Sequence, residues 1–337
     1  MSGPDTPVGD AVVDAAVASD PVAADVATDA PEVVTVGAAT VDRTYHVSNI
    51  PAADGGAYAD TVEESFGGVG ANVAVATARL GRSAGLVARL GDDDVGDRVA
   101  VDLDAQPIDD SHVRRKSGTS THCLVLRDDE GKRSIVTAGD SARTLTLDDS
   151  DRAYLFGADA TFLTAYNPDR VHQAALELAA HPDAPPFVFD LSGPLAELAG
   201  RGAPEATVDR WVETADVFVV GEVAAEAYLG CSGREAALEL RDRGAERVAS
   251  TMGPEGAVLV DDDGVHELPA TEVSVVDETG AGDAYVAALI DRWVLGGESA
   301  PEAGRFAAAA AACNVAEAGA RGGLPTREDV DELLDER

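Results

Sequence analysis

The chain has 337 residues, enough to bury a large core in one α/β domain with or without a small appendage. Its formal net charge is −37, which repels nucleic acid and anionic membrane surfaces and argues against both as partners. No apolar run approaches the roughly 18 residues of a membrane span, and no basic segment followed by an apolar one opens the chain, so we expect a cytoplasmic protein.

Residues 1–31 contain no aromatic residue and only small apolar ones, which predicts a disordered acidic extension before a folded domain of residues 32–337. The folded part opens with a β-branched run, and strands and helices then alternate. This pattern predicts a parallel sheet with helices on both faces. The predicted helices cover residues 72–80, 94–103, 170–180, 233–243, 284–295, 300–318 and 326–334, and the later strands cover 83–90, 160–163, 187–189, 216–220 and 247–252.

Two stretches interrupt this alternation. Residues 42–65 and 113–136 have the pattern of short strands and turns, and the second contains a hairpin. They would form a small sheet that covers the carboxyl edge of the main sheet as a lid, or they would extend the main sheet. The strand edges of such a lid favour a homodimer through the lid.

The three cysteines are far apart, form no C-x-x-C pair and are expected to be reduced thiols. The six histidines show no spacing typical of zinc ligands.

The run at residues 276–284, Val-Asp-Glu-Thr-Gly-Ala-Gly-Asp-Ala, carries the strongest chemical signal. Gly280 and Gly282 allow close approach to the main chain, and the apolar helix that follows would present its N-terminal amides to an anion. A carboxylate at Asp283 would repel phosphate, so we expect it to accept a proton from an attacking hydroxyl. The alternative is a glycine turn with Asp283 as a helix cap.

Two further glycine clusters bear on this loop. Residues 67–72, Gly-Gly-Val-Gly-Ala-Asn, precede the first helix and suit a phosphate loop, a tight turn capped by Asn72 or a site for sugar hydroxyls. They match neither a P-loop nor the GxGxxG fingerprint, which argues against a nicotinamide-dependent oxidoreductase. Residues 251–256 end a late strand as either a nucleotide-binding turn or a hairpin turn.

Taken together, these runs resemble the two signatures of the ribokinase-like (PfkB) carbohydrate kinases, which include ribokinase, fructokinases and adenosine kinases. The likeness covers about residues 33–334 and rests on Gly67, Gly68, Asn72, Gly81 and Gly91 and on residues 277–283. It implies a ribokinase-like three-layer α/β/α domain with a mainly parallel sheet and a small β lid. It also implies ATP-dependent phosphorylation of a hydroxyl of a sugar or nucleoside.

The resemblance assigns roles to individual residues. Asp283 would be the catalytic base, and the amides of Gly280, Ala281 and Gly282 would bind the γ-phosphate. The remaining matches are Asp42, Gly68 and Asn72 for the substrate, Thr251, Gly253, Gly256 and Asn314 for ATP, and Asp277, Thr279 and Gly319 for a monovalent cation, K⁺, that many members use.

One family motif is altered. Members usually carry an Asn-x-x-Glu motif that organises Mg²⁺ near the phosphates, but Gly221 and Ala224 stand at its two positions. Glu222 or Glu226 would have to supply the acid. This change favours an alternative, a non-catalytic sensor of sugars or nucleotides on the same fold.

Lysine is almost absent, because Lys116 and Lys132 are the only two in the sequence. With the large negative charge, this composition is similar to that of proteins from halophilic archaea, and it predicts adaptation to a high-salt cytoplasm in which counterions screen the charge.

Overall fold

The computed structural model describes residues 30–336, so nearly all of the predicted N-terminal extension lies outside the described residues. The strands, numbered along the chain, are β1 (Val33–Val36), β2 (Thr40–Val47), β3 (Ala59–Gly67), β4 (Ala84–Gly91), β5 (Val113–Lys116), β6 (His122–Arg127), β7 (Arg133–Ala138), β8 (Ala160–Thr164), β9 (Phe187–Asp190), β10 (Val217–Gly221), β11 (Val248–Thr251), β12 (Ala257–Asp261) and β13 (Gly264–Leu268). The α-helices are α1 (Val69–Arg79), α2 (Asp94–Asp104), α3 (Asp149–Phe156), α4 (Asp169–Ala179), α5 (Leu195–Leu198), α6 (Glu205–Thr214), α7 (Glu222–Leu229), α8 (Gly233–Asp242), α9 (Ala281–Leu289), α10 (Ala300–Val315) and α11 (Arg327–Asp335).

The central sheet has nine strands in the order β13-β12-β11-β10-β9-β8-β1-β4-β5. Its pairs from β11 through β5 are parallel, and β12 and β13 add an antiparallel edge. Apart from the edge strand β5, the parallel strands are mainly apolar and largely buried, as expected for a sheet covered on both faces.

Helices cover both faces of this sheet. One core cluster joins the sheet to α3, α4, α6, α7 and α8, and it contains the largest fully buried side chain, Trp211. The other joins the sheet to α1, α9, α10 and α11. The predicted three-layer α/β/α architecture with a mostly parallel sheet is therefore confirmed.

A second sheet of four strands has the order β3-β2-β6-β7. It is built from chain that leaves the central sheet after β1 and again after β5, and it corresponds to the stretches predicted as a lid. The second predicted stretch, residues 113–136, differs from the observed sheet in one respect. Val113–Lys116 pairs with β4 in the central sheet, and only the chain from His122 onward joins the second sheet. Val62, Ile135 and Val136 of this sheet are exposed. A dimer through these strands stays a prediction, which light scattering would test.

Candidate active site

The loop before α9 places backbone amides at a helix N-terminus. Gly280 is the N-cap and has φ 82°, and a Cβ there would lie 2.2 Å from the carbonyl oxygen of Ala320, so only glycine fits. A Cβ on Gly282 would meet no atom within 4 Å, so space is open above that residue. The Ala281 amide already donates to the carbonyl of Glu278 at 3.3 Å. The amides of Gly280 and Gly282 have no acceptor among the described residues and are the ones available to an anion.

Asp283 lies in the first turn of α9 and faces α1. Its Oδ2 accepts a hydrogen bond from Nδ2 of Asn72 at 2.7 Å, although the two residues are 211 positions apart. Burial raises the pKa of Asp283 to about 7, the hydrogen bond from Asn72 and the charge of Arg321 oppose that rise, and the carboxylates of Asp190 and Asp42 add to it. A carboxylate with a pKa near neutrality suits proton acceptance at physiological pH.

Arg321 was not singled out from the sequence, yet it joins the two glycine runs. It is buried, its Nε donates to Oδ1 of Asn72 at 2.7 Å, and its second terminal nitrogen donates to the carbonyl of Gly67 at 2.8 Å. An ion pair with Asp102 at 2.7 Å supplies its countercharge. Because Asn72 accepts from Arg321 through its oxygen, its amide nitrogen is directed at Asp283. The sequence signal was the position of an arginine beside the Gly319-Ala320 loop in a chain poor in basic residues.

Asp42 lies on β2 at the entrance of the second sheet. Its Oδ1 accepts from the hydroxyl of Thr40 at 2.8 Å, and burial raises its pKa. Asp42 faces Cys123 on β6, the neighbouring strand. Gly68, with φ 94°, is the N-cap of α1, and a Cβ there would lie 2.4 Å from the carbonyl oxygen of Ala38, so the turn needs glycine. The structure thus brings Asp42, Gly68 and Asn72 to the same end of α1.

A third carboxylate stands near Asp283 and was not predicted as a site residue. Asp190 ends β9, accepts hydrogen bonds from the amide and hydroxyl of Ser192 at 3.0 and 2.5 Å, and has a raised pKa because it is buried. Ser192 also shares a hydrogen bond of 2.7 Å with Thr164 at the end of β8. The carboxylates of Asp42 and Asp190 therefore both act on the pKa of Asp283, at the carboxyl edge of the sheet where parallel α/β folds bind ligands.

The residues predicted for ATP lie on two elements. Thr251 ends β11, Gly253 starts a short 3₁₀ turn, and Gly256 closes the turn before β12, so a hairpin also describes this segment. A cavity of about 370 Å³ adjoins the turn. Asn314 was expected to contact ATP. In the structure it is fully buried on α10, and its Nδ2 donates to the carbonyl of Thr279 at 3.0 Å. Its side chain supports the loop before α9.

Asp277, Thr279 and Gly319 meet, as the resemblance implied, but they bind one another. Oδ1 of Asp277 accepts from the amide and hydroxyl of Thr279 at 3.1 and 2.8 Å, and Oδ2 accepts from the amide of Gly319 at 3.0 Å. Arg127 of β6 places a guanidinium nitrogen 3.2 Å from the same carboxylate. These donors and this positive charge already engage both oxygens of the Asp277 carboxylate, so this carboxylate does not fit a potassium ion.

The described residues also provide no set of side chains that would hold Mg²⁺ directly. Among residues 30–336, no group of three or more His, Cys, Asp or Glu side chains is arranged to hold a metal ion. Gly221 is the N-cap of α7, Ala224 is buried, and Glu222 and Glu226 are exposed on the helix surface. Neither glutamate thus belongs to a group of side chains that could hold a metal ion by itself.

Comparison with known proteins decides the family. The model of the pfkB family carbohydrate kinases matches residues 30–327. The chain belongs to this family. Among similar pfkB proteins, the ATP-dependent ribose-1-phosphate kinase of Halopiger xanaduensis is 31% identical over 90% of this chain and 98% of its own. Fructokinase-1 of Zea mays is 30% identical over 90% and 97%.

Solved structures agree with this assignment. Arabidopsis thaliana ribokinase complexed with ribose and ATP superposes with a TM-score of 0.76 and 26% identity, over 91% of this pfkB chain and 99% of that one. The pfkB chain is therefore a carbohydrate kinase, a phosphotransferase with an alcohol acceptor, and it belongs to a family that uses ATP.

Among the residues that the structure describes, none of the helices combines the length and the apolar character needed to cross a membrane.

Proposed function

We propose that this chain transfers the γ-phosphoryl group of ATP to a hydroxyl of a sugar or nucleoside, with Asp283 as the general base. The observation that carries the proposal is the hydrogen bond of 2.7 Å between Asn72 and Asp283 beside free amides at the N-terminus of α9. A hydroxyl at this point gives its proton to Asp283 as its oxygen attacks the γ-phosphorus and the bond to ADP breaks. The relatives are named as kinases and not as sensors, so the non-catalytic alternative gains no support.

The amides of Gly280 and Gly282 would bind the oxygens of the transferred group, helped by the dipole of α9. Thr251, Gly253 and Gly256 would lie along the nucleotide, and Asp42, Gly68 and Asn72 would hold the acceptor. Because the described residues do not build a metal site of their own, we propose that Mg²⁺ enters as a complex with ATP. Each role rests on position in the fold and on the contacts described above.

The substitution Asp283→Asn tests the base. It keeps the size of the side chain but removes proton acceptance, and a positioned general base typically contributes about 10²–10⁴-fold to the rate. We expect kcat to fall by at least about 100-fold in a coupled assay of ADP release, while ATP binding by calorimetry stays near the wild-type value. Asp104→Asn, on an exposed carboxylate at the end of α2, is the matched control and should keep full activity. A D283N enzyme with more than about a tenth of wild-type turnover would refute the role.

We also propose that the protein works at high salt, as its acidity and lysine depletion suggest. The organism of one pfkB relative, Halopiger xanaduensis, agrees with this proposal. Assays therefore belong in molar KCl.

A further inference from the structure

Helix α2 ends in two aspartates with different surroundings. Asp102 and Asp104 lie in its last turn, Val-Asp-Leu-Asp, which contains no basic residue and where the helix dipole disfavours negative charge. Asp104 is exposed, so water solvates its charge. The side chain of Asp102 is only 13% exposed and needs another partner. That partner is Arg321, which donates to Oδ2 of Asp102 at 2.7 Å although the two residues are 219 positions apart.

The guanidinium of Arg321 is buried among groups that accept hydrogen bonds. Its Nε donates to Oδ1 of Asn72 at 2.7 Å, and one terminal nitrogen donates to the carbonyl of Gly67 at 2.8 Å. Among residues 30–336, Asp102 is the one carboxylate within 4.0 Å of this guanidinium. Without Asp102, a buried positive charge would be left without a partner, which is strongly destabilising.

The elements on either side of this ion pair are themselves joined. One turn before Asp102, and on the same side of α2, Arg98 donates to Oε2 of Glu64 on β3 at 3.2 Å. Strand β3 then ends at Gly67, whose carbonyl binds Arg321. These contacts form a closed ring through β3, α2 and the loop after α10. The ring holds the guanidinium in one place.

The position of Arg321 determines which way the Asn72 amide points. An amide side chain has an oxygen that accepts and a nitrogen that donates, whereas a guanidinium only donates. Arg321 therefore binds the oxygen of Asn72, and the nitrogen is left to donate to Oδ2 of Asp283 at 2.7 Å. If Arg321 turned away, the amide could rotate and present its oxygen to the carboxylate, where two acceptors repel each other.

We propose that Asp102 is a positioning residue for phosphoryl transfer, which holds Arg321 so that the amide nitrogen of Asn72 faces Asp283. This inference rests on the proposed function, in which Asp283 is the base, and it extends the site to helix α2, outside both glycine runs. The bond from Asn72 engages Oδ2 of Asp283. Among residues 30–336, no side chain or amide donates to Oδ1, which is therefore the oxygen available to the acceptor hydroxyl.

The pKa of Asp283 reports on this arrangement without any acceptor being turned over. The groups that act on it from the surrounding elements are Asn72, Asp190, Arg321 and Asp42. A carbon-13 NMR titration of protein labelled at its aspartate carboxyl carbons measures this pKa, and the Asp283→Asn protein identifies the resonance. Asp102→Asn should raise the pKa by at least about half a pH unit, because the unpaired guanidinium leaves its buried place and Asp283 loses a hydrogen bond and a nearby positive charge.

Two variants of the same helix turn are the controls. Asp104→Asn removes an exposed carboxylate and leaves Arg321 its partner, so in molar KCl, where the Debye length is about 3 Å, it should shift the pKa of Asp283 by less than about 0.2 unit. Asp102→Glu keeps the negative charge and should give a pKa closer to that of the wild type than Asp102→Asn does. Equal effects of Asp102→Asn and Asp104→Asn would overturn the proposal. A lowered pKa in Asp102→Asn would also overturn it, because Arg321 would then have stayed in place without its partner.

A double variant shows whether Asp102 acts through Arg321. Asp102→Asn combined with Arg321→Met buries no unpaired charge, so it should fold even if Asp102→Asn alone does not. In the Arg321→Met background, Asp102→Asn should change neither the pKa of Asp283 nor kcat. A further shift in the double variant would mean that Asp102 reaches the base by another route, and the proposal would be wrong.

Turnover of MgATP with ribose as the probe acceptor gives the kinetic counterpart. Asp102→Asn should lower kcat by about 10-fold or more and leave KM for ATP within about twofold, since it disturbs the base and not the nucleotide. A change confined to KM for ATP would contradict the assigned role. Absence of turnover with every sugar tried would count against the proposed function, and the NMR comparison would still decide the role of Asp102.

Discussion

Asp283 has neighbours that act in opposite directions on its pKa, and their balance sets that pKa. Loss of water raises its pKa first, and the carboxylates of Asp190 and Asp42 raise it further, while Asn72 and Arg321 lower it. Arg321 also acts through Asn72, whose amide nitrogen it directs at Asp283. Three residues outside the two glycine runs, Asp42, Asp190 and Arg321, thus influence Asp283.

We expect kcat/KM to rise with pH through a midpoint near 7, because only the ionised carboxylate of Asp283 accepts a proton and its pKa is about 7. Arg321→Met removes a charge that lowers this pKa, so the midpoint should move to higher pH and the rate at neutral pH should fall. A series of kcat/KM values between about pH 5 and pH 9 measures both. Arg79→Met, which removes an arginine whose side chain bonds the carbonyls of Arg321 and Leu324, is the comparison. A midpoint unchanged in the Arg321→Met enzyme would contradict this account.

At the scale of residues, the sequence singled out Asp283, the glycines and Asn72, because each belongs to a short local motif, and the role of Asp283 as a base stays a prediction. It did not predict Arg321, Asp190 or Arg127, whose significance depends on partners distant in sequence, such as Asn72 for Arg321. It also assigned Asn314 to the nucleotide, where burial makes it a support of the loop.

Elements with clear periodicity were predicted within a few residues of their observed ends. Helix α8 begins where expected, at Gly233, and strand β4 is displaced from its predicted limits by one residue. The helix predicted over residues 284–295 begins earlier, at Ala281, and its last turn and a half is a π-helix, Ile290–Leu295. The pairing of β5 with β4 was not predicted, because the choice between two sheets depends on contacts that a four-residue strand does not encode.

Strand β6 reaches the loop before α9 through Arg127, which bonds the carbonyl of Val276 at 3.3 Å and the carboxylate of Asp277 at 3.2 Å. The second sheet is therefore joined to the loop before α9 by a positive side chain. That charge stands where the resemblance implied a monovalent cation.

We expect wild-type activity to be the same within about twofold in KCl, NaCl and choline chloride at equal ionic strength, since Arg127 supplies the charge at Asp277. Arg127→Met should lower kcat in choline chloride and acquire partial rescue by K⁺, because the Asp277 carboxylate would then lack a countercharge. Steady-state kinetics in the three salts measures both. Arg43→Met, which breaks an ion pair with Glu64 elsewhere in the second sheet, controls for a general loosening of that sheet. A wild-type enzyme that is inactive without K⁺ would show that the cation site is retained.

The whole molecule carries a net charge of −37, and its mutual repulsion opposes the compact state. Raising KCl from about 0.1 M to about 1 M shortens the Debye length from about 10 Å to about 3 Å and weakens that repulsion. We expect the melting temperature to rise by at least about 4 °C over this range, which for a domain of this size corresponds to more than about 1 kcal/mol. Differential scanning calorimetry measures it, with sucrose as an uncharged control. Equal stability at both salt concentrations would refute adaptation to high salt.

The hydrogen bond between Asn72 and Asp283 spans 211 residues, so the candidate site is incomplete until the last part of the chain has been made. The first two hundred residues contain β1, β4, β5, β8 and β9 of the central sheet, but neither Asp283 nor the amides before α9. Asn72 then lacks both of its side-chain partners, Asp283 and Arg321. Since contacts so distant in sequence form slowly, we expect the candidate site to assemble late in folding.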